Sequence, residues 1–267
     1  MSNSAIRVTM LSSEVNPTSG WGTFTYDLCC ELAARDDIAL DIHLPVDAHV
    51  DWTSHLASHI QHTLPPWQGS FRRRPHRLLP FLLPRFRVGP TDLIHSLVEF
   101  PYAILARSLA QRARVPYVVS TAGTYGVVPL QRGVDRWQYR PALDQADIVT
   151  APSRFSADMM QRMGGVRREI RLMHYAVDYG RFQKPADVSG IRDKYGLPED
   201  ARVVLSVGAL KGRKGFDLLI RAFARVVQDE PRALLAVVGD GGARPSLLEL
   251  ASSLGISDRV RLLGSVP

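Results

Sequence analysis

At 267 residues, 45% of them hydrophobic, the chain has the length of two domains or one large α/β domain, with apolar side chains enough for a core. No stretch stays apolar for the eighteen residues that a membrane span needs, and Met1 to Arg7 lacks the charged-then-apolar order of a signal peptide, so a cytoplasmic chain is predicted. A formal charge of +7 calls for an anionic partner without choosing among phosphorylated substrate, anionic lipid and nucleic acid.

In chain order, the first predicted element is a strand over Ala5 to Leu11. A polar, glycine-containing loop follows it, and then Trp21, Phe24, Leu28 and Leu32 recur at helical spacing. Cys29 and Cys30 are adjacent on that helix, where neighbouring side chains diverge, and read as packing residues. Further strands are predicted at Ile38 to Leu44, Asp92 to Leu97, Pro116 to Thr121, Asp147 to Ala151 and Glu169 to His174, with helical stretches between most of them. Such alternation predicts a parallel sheet with right-handed crossovers. Met159, Met160 and Met163 read as helix packing.

Residues 183–201 are polar and carry Pro185 and Pro198, the mark of a connection between a domain at 1–182 and another at 202–267. The pattern then restarts. Arg202 to Val207 reads as a buried strand, Phe216, Leu219, Ile220 and Phe223 as one helix face, and Ala233 to Val238 as the next strand. Leu247, Leu250, Ala251 and Leu254 mark another helix, and Arg259 to Leu263 a third strand. The expected architecture is α/β with two Rossmann-like domains, the second truncated after about three strands and only marginally stable alone.

Two strand-to-helix loops carry candidate chemistry. In Asn16 to Thr23, Gly20 and Gly22 allow close approach of a ligand to a helix N-terminus, although a tight turn explains them as well. In Ser206 to Gly215, Gly208 precedes Lys211, Arg213 and Lys214 at the carboxyl end of a predicted parallel strand, where a diphosphate could bind. The bland reading is a solvated turn with surface charges.

Together with Val237 to Gly241 and Asp258 to Gly264, the Ser206 to Gly215 segment resembles the family 4 glycosyltransferases of the GT-B fold. Asp92 to His95, Ala146 to Val149 with Ser153, and Ala176 to Asp178 with Phe182 resemble the family's N-domain landmarks, so the likeness runs over nearly the whole chain. The resemblance implies retaining transfer of a sugar from a nucleotide-diphosphate donor, held mainly by the C-domain, to a glycan or lipid-linked acceptor held mainly by the N-domain, with no metal cofactor. Lys214 matches the family's phosphate-binding lysine, Lys211, Arg213, Gly208, Gly20 and Gly22 join it as donor-diphosphate candidates, and His95, Thr121, Gly123 and Ser153 are acceptor-side candidates.

The sequence departs from the family at Ala209, where relatives place an arginine, at Ala122, where they place a histidine, and at Ala176, where they place a glycine. The family's paired glutamates, about two helical turns apart, have no counterpart, and the resemblance puts them beyond Pro267. Little activity of this chain alone is therefore expected. The rival reading is a non-catalytic sugar-nucleotide or acceptor-binding half completed by a complementing chain. Residues 71–87 mix arginines with Phe81, Leu82, Leu83 and Phe86 and form a candidate contact with the anionic inner face of a membrane, with a solvated basic loop as the alternative. His95 and His174, each a single imidazole without a visible acid partner, read as structural or as site residues. An oxidoreductase is disfavoured because no G-x-G-x-x-G follows a strand with an acid about twenty residues on, and a nucleic-acid partner because no reading module is present.

Overall fold

The structure is a computed structural model and describes residues 5–17, 20–49, 55–66, 86–177, 179–183 and 189–266. The chain divides into two compact units, Met1–Asp178 and Tyr179–Pro267.

The first unit holds a seven-stranded parallel sheet in the order β3-β2-β1-β4-β5-β6-β7. Its elements are β1 (Ile6–Leu11), α1 (Gly20–Ala33), β2 (Ile38–Pro45), β3 (Ile60–Leu64), β4 (Leu93–Ser96), α2 (Tyr102–Ala113), β5 (Tyr117–Ser120), α3 (Gly133–Asp144), β6 (Ile148–Ala151), α4 (Arg154–Arg162) and β7 (Ile170–Leu172). The six expected strands all form. The seventh, β3, was not legible, because IQHTL holds two apolar residues and only Leu64 is buried. It pairs on one side only, so its intervening side chains face water.

Val8, Met10, Ile42, Leu44 and Cys29 form one apolar cluster beneath α1, and Ile94, Leu105, Val119, Tyr139 and Val149 belong to a second. Both thiols are free and diverge as expected, Cys29 towards the Met10 sulfur and Cys30 towards His55 Nε2 at 3.1 Å. Met160 is buried and Met159 packs beside it, but Met163, expected to pack, is half exposed just past the end of α4. Of the 71–87 stretch, residues 71–85 lie outside the described residues. Phe86 is buried against the His43 ring at 5.8 Å, so it anchors the core and is not free to enter a lipid layer.

The second unit comprises β8 (Arg202–Val207), α5 (Phe216–Asp229), β9 (Ala233–Val238), α6 (Arg244–Ser253) and β10 (Val260–Gly264), with the strands parallel in the order β10-β9-β8. Phe216, Ile220 and Phe223 of α5 and Leu247 and Ala251 of α6 close over Leu235 and Val237 of the central strand. The expectation that β8 is buried fails among the described residues. With a neighbour on one flank only, it leaves Leu205 62% and Val207 70% exposed.

Candidate functional site

In the second unit the ends of β8 and β9 are knitted by backbone. Gly208 N–H donates to Val238 O at 2.9 Å and Leu210 N–H to Asp240 O at 3.0 Å. Gly239 (φ +128°) and Gly241 (φ +156°) make this approach possible, because a Cβ would stand 2.1 Å from Gly208 O and 2.5 Å from Leu210 O, respectively. On this base the chain turns through one 3-10 turn, Gly212–Lys214, and enters α5 through Gly215 at φ +71°.

Lys211, Arg213 and Lys214 are all exposed, and none has an acidic partner among the described residues. Three cations within four residues precede the N-terminus of a fourteen-residue helix, whose first N–H groups are oriented to favour an anion. The exposed Asp217 in the first turn is the one carboxylate close in sequence. A Cβ at Gly208 would meet only the Phe216 ring, at 3.5 Å.

In the first unit the predicted residues distribute unequally. Gly20 opens α1, exposed, with nothing within 4 Å of a Cβ position, while Gly22 is buried and its carbonyl accepts from Asn16 N–H and from Thr25 Oγ1. Thr25 Oγ1 also lies 2.8 Å from Glu14 O, which ties the loop after β1 to the helix. Thr121 is buried, and its hydroxyl donates to Thr150 O at 2.8 Å, so it is committed to the sheet. Gly123 takes φ +56° in the turn after β5. Ser153 caps α4, its Oγ accepting from Ser156 N–H at 3.2 Å.

His95 lies within β4, where its Nε2 is 2.8 Å from Ser120 Oγ, which in turn accepts from Thr150 Oγ1. Burial lowers its pKa to about 4, so it is neutral at pH 7. His174 is exposed, with Nδ1 2.9 Å from Pro152 O.

Four residues that the sequence did not single out as site residues stand near the carboxyl ends of these strands. Glu99 is 1% exposed and its Oε2 accepts from Ala122 N–H at 3.2 Å, at the position where a histidine was expected. Trp21 and Phe24 of α1 meet Tyr175, which follows β7. Burial, with the Glu99 charge adding to it, pushes the Tyr175 phenol up to about 12. A lone acid inside Leu97-Val98-Glu99-Phe100 was the available signal for Glu99. Among the described residues no three His, Cys, Asp or Glu side chains converge as a metal site, and no helix is long and apolar enough to cross a membrane.

Residues 19–176 match the family model described as a glycosyl transferase 4-like domain, and residues 187–267 match glycosyl transferases group 1. The chain belongs to this glycosyltransferase family. A GDP-mannose-dependent phosphatidylinositol monomannoside mannosyltransferase of Mycolicibacterium smegmatis is 32% identical over 168 residues, 62% of this chain and 44% of that protein. A 2-deoxystreptamine glucosyltransferase of Streptomyces kanamyceticus is 29% identical over 68% of this chain and 50% of its own. The chain thus spans about half the length of the curated relatives it matches. Among solved structures, a sucrose-phosphate synthase from Thermosynechococcus elongatus aligns with TM-score 0.73 at 20% identity, over 98% of this chain and 71% of the other. HepE of Anabaena, in complex with UDP and glucose, aligns with TM-score 0.67 at 20% identity, over 98% and 70%. The GT-B α/β fold and the family's glycosyltransferase character agree with the resemblance read from the motifs.

Proposed function

We propose that the chain carries the acceptor-side domain (1–182), the connection (183–201) and a donor-diphosphate segment (202–267) of a glycosyltransferase that moves a sugar, with retention, from a nucleotide-diphosphate sugar to a glycan or lipid-linked acceptor. The observation that carries the reading is the trio Lys211, Arg213 and Lys214, exposed and without acidic partners among the described residues, at the start of α5. A departing diphosphate develops charge as the glycosidic bond breaks, and cations beside helix N–H groups offset that charge without a metal. UDP in HepE and GDP-mannose in the mycobacterial relative support a nucleoside diphosphate as the ligand class. Retention rests on the family resemblance.

Isothermal titration of the purified chain with UDP, GDP and ADP tests the reading. Lys214→Ala removes one charge-assisted contact of about 1.5–3 kcal/mol, weakening the bound nucleotide about 10- to 100-fold. No binding of any of the three would refute the donor reading. The exposed apolar edge of β8 favours a second reading, in which further strands from a complementing chain complete this sheet before catalysis. Peripheral binding to an anionic membrane surface through the 71–87 stretch, with Phe86 excepted as a core anchor, is proposed from composition alone. Equal recovery on neutral and anionic liposomes would remove it.

A further inference from the structure

The first unit contains an aromatic cluster that the donor chemistry does not use. Trp21 and Phe24 lie with ring centroids 5.2 Å apart, Phe24 and Tyr175 4.7 Å apart, and Trp21 and Tyr175 6.0 Å apart at 64°. Trp21 and Phe24 are half-buried, whereas Tyr175 is 44% exposed despite touching both. α1 begins after β1 and Tyr175 follows β7, so the trio sits at the carboxyl end of the parallel sheet, where open α/β folds take their ligands.

We infer that Trp21, Phe24 and Tyr175 form a stacking platform that selects an uncharged pyranose ring as the acceptor. The inference rests on the acceptor-side reading of this unit and adds the substrate class. Aromatic faces receive flat apolar groups, and Tyr and Trp combine such faces with a polar tip. A pyranose presents an apolar C–H face bounded by hydroxyls, which matches both properties. None of the three side chains carries a positive charge that could pair with a phosphate or carboxylate held against the rings.

Saturation-transfer NMR on the full chain, with methyl α-D-glucopyranoside, the corresponding methyl glucuronide and n-octyl glucoside as probes, tests the assignment. The expected result is transfer to the ring C–H protons of the neutral glucoside, with affinity reduced about tenfold in Trp21→Ala and in Tyr175→Ala and retained in Tyr175→Phe and in Trp137→Ala, a control at an exposed aromatic of α3. If Trp21→Ala does not fold, Tyr175→Ala, at an exposed position, carries the test. The inference is overturned by undiminished glucoside binding in the folded variants, by equal binding of the glucuronide, by saturation of the octyl chain in preference to the ring, or by no transfer to any probe. UDP titration of the same samples separates the two readings. Nucleotide binding with no platform-dependent sugar binding refutes this inference alone, and the converse refutes the donor reading alone.

Discussion

Replacing glycines of the second unit one at a time separates backbone strain from steric clash at the candidate diphosphate loop. At Gly242 a Cβ meets nothing within 4 Å and φ is ordinary, so Gly242→Ala should change stability by no more than about 0.5 kcal/mol. At Gly215 the space is equally open, with Leu218 Cδ1 at 4.0 Å, but φ is +71°. Gly215→Ala should cost about 1–2 kcal/mol from the left-handed conformation alone. At Gly239, φ is +128° and the Cβ would lie 2.1 Å from Gly208 O. The dihedral adds about 1–3 kcal/mol and the forced separation of the loops about 1–3 more, giving about 2–6 kcal/mol. In a unit of this size each kcal/mol lowers Tm by about 4–8 °C, so Gly239→Ala at the upper end lowers it by about 24–48 °C. Hydrogen exchange of the central-strand amides Leu234 to Val237 reports this unit separately from the first. Equal protection in Gly239→Ala and Gly242→Ala would refute the packing argument, and a cost at Gly215 as large as at Gly239 would mean that the loop contact contributes nothing.

The His95 shift gives stability a pH dependence. Its folded pKa of about 4 is below the unfolded value of about 6.5, so the unfolded chain binds the extra proton; the contribution is complete above pH 6.5 and is lost as pH falls through 4. Urea titrations from pH 7 to 4 should show a slope that His95→Gln reduces, the remainder including buried His43, whose pKa is also lowered by burial. Ser153→Ala should destabilise the first unit by about 1 kcal/mol through loss of the α4 cap, read by chemical denaturation, while leaving nucleotide binding unchanged. Leu205→Ser, at an exposed position, should be nearly neutral, whereas Leu235→Ala, fully buried in β9, should cost about 2–5 kcal/mol by the same measurement.

What the sequence made legible follows from burial. β1 and β9 carry adjacent apolar residues because both faces of a central parallel strand are covered, and Met10 and Leu11, like Leu234 and Leu235, are buried on opposite faces. The same cue misled at β8, where an equally apolar run lies at an edge, and it was silent at β3, where Gln61, His62 and Thr63 face water. Local sequence also revealed the cation trio and its glycines, since strand, loop and helix start are contiguous there. It could not reveal that Glu99 reaches the Ala122 amide or that Trp21 meets Tyr175, because those contacts depend on which strands become neighbours. Ser153 and Thr121 were found by position, but their hydroxyls serve a helix cap and a strand carbonyl.

The place of β1 in its sheet bears on how this chain is made. One flank pairs with β2, Ile6 opposite Ile38, but the other waits for β4, with Val8 opposite Leu93 and the Arg7–Asp92 ion pair closing a span of 85 residues. At about 5–20 residues per second, a ribosome needs roughly 4–17 s to cover that span. During that time the apolar Met10 and Leu11 lack their final neighbours, so β1 stays open on that flank until β4 has been made.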